Sequence, residues 1–150
     1  MIKRVTYSFT RPSDTTTYAD GDLVANSTTA GSVVAPSFNV GYGGFKLKTA
    51  TLTKNSTGVT TADFRFHLYT APVTVANGDN GALSHTLSGK YYEVDFPTMI
   101  AGTDGAWTSV TGLDVANYVV NGMVYVLVEA DGAYTPVSGE IFTLGLVIER

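Results

Sequence analysis

The sequence predicts an all-β fold: a single-domain antiparallel β-sandwich, jelly-roll-like. Three observations predict it. Apolar residues recur with a period of two, the pattern of strands with one buried face. Turn signals interrupt these runs about every ten residues, the spacing of a sandwich or barrel. The 3.6-residue helical period is nearly absent. The chain has 150 residues and no cysteine, with 44% hydrophobic and 15% charged residues. That length supports one buried core. The apolar content excludes a disordered chain, and the shortage of Glu, Lys and Arg excludes a coiled coil. Without cysteine there are no disulfides, thiolate metal sites or thiol nucleophiles.

Taken in order, Val5, Tyr7 and Phe9 alternate with Arg4, Thr6, Ser8 and Thr10 as a first strand. Residues 11–43 are rich in Thr, Ser, Ala and Gly. They read as an extended segment that wraps the sandwich or reaches a partner, since long ordered loops in compact domains are usually functional. From Gly44 to Lys54 the apolar parity changes between Phe45/Leu47 and Ala50/Leu52, which predicts a β-bulge near Thr49. Phe64, Phe66 and Leu68 form the next alternating run, and Tyr92, Val94 and Phe96 another. Leu113 to Tyr118 is read as one helical turn. Met123 to Val128 is apolar on both faces and predicts a central strand. Phe142, Leu144, Leu146 and Ile148 close the series. Asn77-Gly78-Asp79-Asn80-Gly81, Asp104-Gly105, Asn121-Gly122 and Asp131-Gly132 supply the turns between them.

The formal net charge is −4. It is unevenly spread: residues 1–54 hold six cations and three acids, giving +3, and residues 55–150 hold three cations and ten acids, giving −7. The acidic balance argues against nucleic acid as a partner. No signal peptide or apolar membrane-spanning run is read from the sequence, so no membrane partner is expected and synthesis is expected in a cytoplasm.

No catalytic motif appears, and the chain is expected not to be an enzyme. There is no nucleophile elbow, phosphate-binding loop or zinc-protease helix. His67 and His85 read as structural or solvated histidines. Asp20 with Asp22, and Glu93 with Asp95, are spaced to share a sheet face, but such pairs are commonplace on solvated strands. Asp79 and Asn80 offer oxygen ligands of the kind calcium takes, yet their spacing fits no calcium loop and a turn explains them. Asn26 and Asn55 match the glycosylation acceptor and read as turn residues. Trp107 and the nine tyrosines suit either core, interface or sugar stacking. No metal and no cofactor are expected.

Three stretches carry a family resemblance. Phe9-Thr10-Arg11-Pro12-Ser13-Asp14-Thr15-Thr16-Thr17-Tyr18, with Gly21 to Ser27 after it, resembles the N-terminal signature of small virion proteins of tailed bacteriophages, of the decoration or cement type. Phe64 to Pro72 with Asn77 to Asn80 is similar to the family's middle strand and loop. Gly132 to Pro136 with Glu140 to Leu144 is similar to its last hairpin. The resemblance implies a non-catalytic virion protein on the outside of the capsid, stabilising the shell by non-covalent contacts. The partners it implies are the major capsid protein and sister copies, as trimers or dimers. The expected capsid or subunit interface is the stretch from Tyr7 to Tyr18, comprising Tyr7, Phe9, Arg11, Pro12, Asp14 and Tyr18, with Arg11, Asp14 and Tyr18 as polar anchors. The alternatives are a tail-, neck- or fibre-associated structural protein and a carbohydrate-binding β-sandwich.

Overall fold

A computed structural model describes all residues, 1–150. It contains eleven strands: β1 (Ile2–Thr10), β2 (Leu23–Val24), β3 (Ser37–Asn39), β4 (Gly43–Lys54), β5 (Phe64–Tyr69), β6 (Lys90–Asp95), β7 (Ile100–Ala101), β8 (Ala106–Val110), β9 (Val115–Val119), β10 (Met123–Ala130) and β11 (Ile141–Glu149). One sheet runs β1-β11-β4-β8-β7, with β9 also paired to β4; the other runs β2-β10-β5-β6, with β3 also paired to β10. All pairings are antiparallel. The pieces β2 and β3 act as one interrupted strand on β10, and β8 and β9 as one on β4. Counted so, and setting aside the two-residue β7 at the edge, the first sheet interleaves the chain's first, last, third and sixth strands. The second interleaves the second, seventh, fourth and fifth. The result is the antiparallel all-β sandwich that the alternation predicts.

The bulge lies one residue from its expected place. Thr49 pairs with Val147 and Leu47 with Ile148, leaving Lys48 as the extra residue. It has a consequence across the sheet. The ladder to β8 ends at Ala50 and the ladder to β9 begins at Leu47, so the bulge is where the neighbouring strand breaks. Leu113 N–H donates to Lys48 C=O across that break. Asp114 there binds both Lys46 and Lys48. The expected helical turn over Leu113–Tyr118 is therefore corrected: Val115 to Val119 is strand β9. Its burial alternates with period two, because β4 supplies a ladder that a local helical turn does not have.

Between the sheets lies one core of 27 buried residues. Phe64 and Phe142 meet edge to face at 5.5 Å, and Phe66 and Phe96 at 4.6 Å. The central strand expected at Met123–Val128 is β10, flanked by β2, β3 and β5. Its inner face (Val124, Val126, Val128) enters the core. Its outer face explains the doubly apolar pattern: Leu127 packs with Leu23, Ala25 and Tyr69 under Val33, Ala35, Val73, Val75 and Leu83. The chain's own loops thus cover the part of the second sheet's outside around Leu127 and Tyr69. The outside of the first sheet carries Thr6, Ser8, Thr51, Thr53, Thr143 and Trp107, with no element over it.

Candidate functional site

At the end of the sandwich where β1, β4 and β10 finish, loops close over two buried polar clusters. The first is built on Arg11, the residue after β1, which is 2% exposed. Its Nη2 lies 3.0 Å from Asp14 Oδ1 and 3.0 Å from Asp79 Oδ2. Its Nε donates to the Tyr18 hydroxyl at 2.9 Å, and Nη1 donates to the Asp14 carbonyl at 2.6 Å. Tyr18 O–H donates to Asp79 Oδ1 at 2.7 Å, and Ala25 N–H donates to the same oxygen at 2.8 Å. The Arg11 and Asp79 side chains have no exposed surface. Burial works against the Arg11 charge, but Tyr18, Asp14 and Asp79 outweigh it and hold the guanidinium above its ordinary pKa. Burial also raises Asp79, against the pull of Ala25, Tyr18 and Arg11. Three donors converge on Asp79, as a buried carboxylate requires.

The second cluster is Lys54, Ser56, Tyr134 and Glu140. Lys54 Nζ lies 3.2 Å from Glu140 Oε1, and neither side chain has exposed surface. Tyr134 O–H donates to both Glu140 oxygens, at 2.6 and 2.9 Å, and Ser56 O–H donates to Oε1. Lys54 also donates to the carbonyls of Ser56 and Gly58. Burial lowers the Lys54 pKa, partly offset by Glu140. The clusters touch. The Tyr18 and Tyr134 rings stack at 6.4 Å, and Arg11 N–H donates to Glu140 C=O. The three stretches that carry the family resemblance therefore meet here, through Arg11 and Tyr18, Asp79, and Tyr134 and Glu140.

This placement corrects the expected interface. Arg11 and Tyr18 are interior, not surface anchors, and Phe9 is a core residue stacked on Phe142 at 5.7 Å. Tyr7 and Pro12 are half-buried; Asp14 is half-exposed and its carboxyl is held low by Arg11. The physical reason is that a charge can leave water when several partners converge on it, and Asp79 arrives from a loop 68 residues away. The same contacts engage both carboxylate oxygens of Asp79. Asn26 and Asn55 brace loops: their Oδ1 atoms accept from Val34 N–H and Ile141 N–H. Asp79, Lys54, Tyr134 and Glu140 are not legible as cluster members in the sequence; their only signal is the charge or hydroxyl at the edge of a run.

No protein-family model matches the chain, and no curated protein matches it in sequence. Among solved structures it is similar to the cyanophage Pam1 capsid asymmetric unit. That chain is 15% identical, with 98% of this chain and 83% of that chain covered and a TM-score of 0.42. A second, from a marine algae virus of the order Picornavirales, is 12% identical over 97% of this chain and 66% of that one, with a TM-score of 0.22.

The outer face of the second sheet carries a charged layer. Arg65 joins Asp95, Glu129 and Asp131, and Lys90 joins Glu93. His67 Nε2 is 3.0 Å from Glu129, while Nδ1 has no hydrogen-bond partner. The His85 ring lies 5.1 Å from the His67 ring, with both nitrogens buried and unpaired. No group of three or more His, Cys, Asp or Glu is arranged to hold a metal ion. No helix is long and apolar enough to cross a membrane. Burial, then Lys90, lowers His67 from 6.5 to about 4; burial, then His67, lowers His85. At these two histidines the native protein thus holds fewer protons than the unfolded chain. Stability is expected to fall as pH drops from about 6.5 towards 4, and His67→Gln is expected to flatten that slope. Urea melts at stepped pH measure it; an unchanged slope in the variant would refute the assignment.

Five of the eleven exposed large apolar residues gather at the opposite end of the first sheet. Tyr42, Tyr118 and Val120 are 72%, 63% and 79% exposed, and Met1 and Ile2 are also exposed. Gly44 pairs with Tyr118, and Ile2, Glu149, Lys46 and Ala116 form one lateral row, so these side chains border the same sheet.

Proposed function

We propose that this chain is a non-catalytic virion structural protein that binds the outside of a phage shell as a decoration or cement subunit. The observation that carries this reading is the asymmetry of the sandwich. One outer face is covered in part by the protein's own loops and otherwise by a charged layer, and the other is bare and bordered by exposed Tyr42, Tyr118 and Val120. Exposed apolar side chains grouped at one edge suit a protein surface as their partner. The resemblance of the Arg11, Asp79 and Tyr134 stretches supports the same reading. In it those stretches clamp the loops of one end, leaving the Tyr118 corner at the other end to dock. A subunit that binds only the assembled shell stabilises it by linkage, and symmetry repeats each modest contact many times.

Quantitative mass spectrometry of purified virions tests this. A copy number close to that of the major capsid protein is expected. A handful of copies would move the protein to the neck or tail, and absence from the particle would overturn the virion reading. Within the particle, the Tyr118→Lys, Val120→Asp double variant is expected to fold normally and to lose most of its incorporation, because it places charge in an apolar contact. Full incorporation would overturn the contact.

A further inference from the structure

We propose that the bare sheet carries a binding face for a neutral glycan, centred on Trp107. The strand register aligns Ile100, Trp107, Thr53, Thr143 and Ser8 in one row across five strands. The neighbouring row is Ser109, Thr51, Gly145 and Thr6. At about 4.8 Å per strand the first row spans roughly 19 Å. Gly145 keeps the second row flat: a Cβ there would lie 2.3 Å from Thr51 Oγ1, whose side chain crosses it. At one end of the face Trp107, Thr53, Thr143, Asn55 and Asp104 line an open depression of about 480 Å³. Gly105 lies in its wall, its Cβ position 2.4 Å from the Lys54 carbonyl, so only glycine lets the turn close this tightly.

Trp107 is the only tryptophan in the chain and stands 48% exposed on this face. An indole plate ringed by hydroxyl, amide and carboxylate groups matches a pyranose. The sugar's C–H face covers the ring, and its hydroxyls meet both donors and acceptors. The charge pattern selects the class. Lys54 borders the depression only through its backbone, because its side chain has no exposed surface and its ammonium is committed inward to Glu140. Asp104 is then the one charged group facing the ligand. An anionic sugar would meet a carboxylate and no cation, so the ligand is a neutral hexose or N-acetylhexosamine oligomer. This inference is independent of the shell reading, since it is tested on the isolated protein.

The lone tryptophan is its own reporter. Cellohexaose, chitohexaose and mannohexaose are titrated to millimolar concentration while Trp107 emission is followed, with hexagalacturonate as the anionic comparison. At least one neutral oligomer is expected to shift the emission to shorter wavelength and to saturate, and hexagalacturonate is not. Thr53→Arg, on the exposed row beside Trp107, is expected to weaken binding at least about tenfold while the circular dichroism melt is unchanged. Calorimetry with Trp107→Ala is expected to show a similar loss. No response to any neutral oligomer, equal binding of hexagalacturonate, or full affinity in Thr53→Arg would each overturn the proposal. An emission shift that follows protein concentration rather than sugar would assign the face to a second copy and overturn it as well.

Discussion

Replacing Arg11 with alanine is expected to cost about 3–5 kcal/mol of stability, because it strands the Asp79 carboxylate in a site with no exposed surface. For a chain of this length that is a fall in Tm of roughly 6–20 °C. The loss is larger than one ion pair suggests, since the guanidinium also holds Tyr18, the Asp14 side chain and three loop carbonyls. Arg11→Lys keeps the charge but has no planar fork, so it can satisfy only part of this set and is expected to lie between the two. The variant should also become open to protease within residues 11–25 and 77–81, the two segments that Arg11 and Asp79 tie together. Urea denaturation and limited proteolysis measure both effects. A loss under about 1 kcal/mol would show that the cluster is solvated in solution.

Glu140→Ala is expected to cost a similar amount, about 3–5 kcal/mol at neutral pH, by leaving the Lys54 ammonium buried without its carboxylate. Tyr134 and Ser56 lose their acceptor in the same step. The pH dependence gives the signature. Lys54 is already held below its ordinary value of 10.5 by burial, and removing Glu140 takes away the group that opposes this. Between the native pKa and 10.5 the unfolded chain binds a proton that the native chain does not. Stability in the variant is therefore expected to rise with pH across that window, by up to about 1.4 kcal/mol per pH unit. The double variant Glu140→Ala, Lys54→Met removes both charges and is expected to recover most of the loss and to abolish the slope. A single variant as stable as the wild type, or one without the slope, would refute the buried pair.

Both variants act on the end of the sandwich where the three family-like stretches converge, so their consequences are structural. The Tyr118 corner lies at the opposite end of the first sheet from these clusters, and the residues of the bare face, Trp107 and Thr53, point outward from that sheet while Lys54 and Glu140 point inward. Mutations there are expected to change binding and leave stability nearly untouched. That separation lets attachment, glycan binding and folding be tested apart in one set of variants.

The amino-acid pattern carried much of the fold. Alternation marked β1, β5, β6 and β11, and the parity change in β4 placed the bulge within one residue of Lys48. Both are local properties, visible in neighbouring side chains, because successive residues of a strand face opposite ways. The doubly apolar run from Met123 to Val128 likewise marked a strand covered on both sides. The short strands β7 and β8 gave no comparable signal, and β9 was read as a helical turn; each is shaped by the ladder of β4 or a neighbour, not by its own pattern. The buried charges were the largest departure. Arg11 and Tyr18 were expected as polar anchors of an interface, whereas a charge is buried only when partners converge on it. Only the folded chain brings Asp79 and Ala25 to them, and Glu140 to Lys54, from loops distant in sequence. Which strands form is written in adjacent residues; which charges are buried, and which sheet face is left bare, depend on which loops close over the same end of the sandwich.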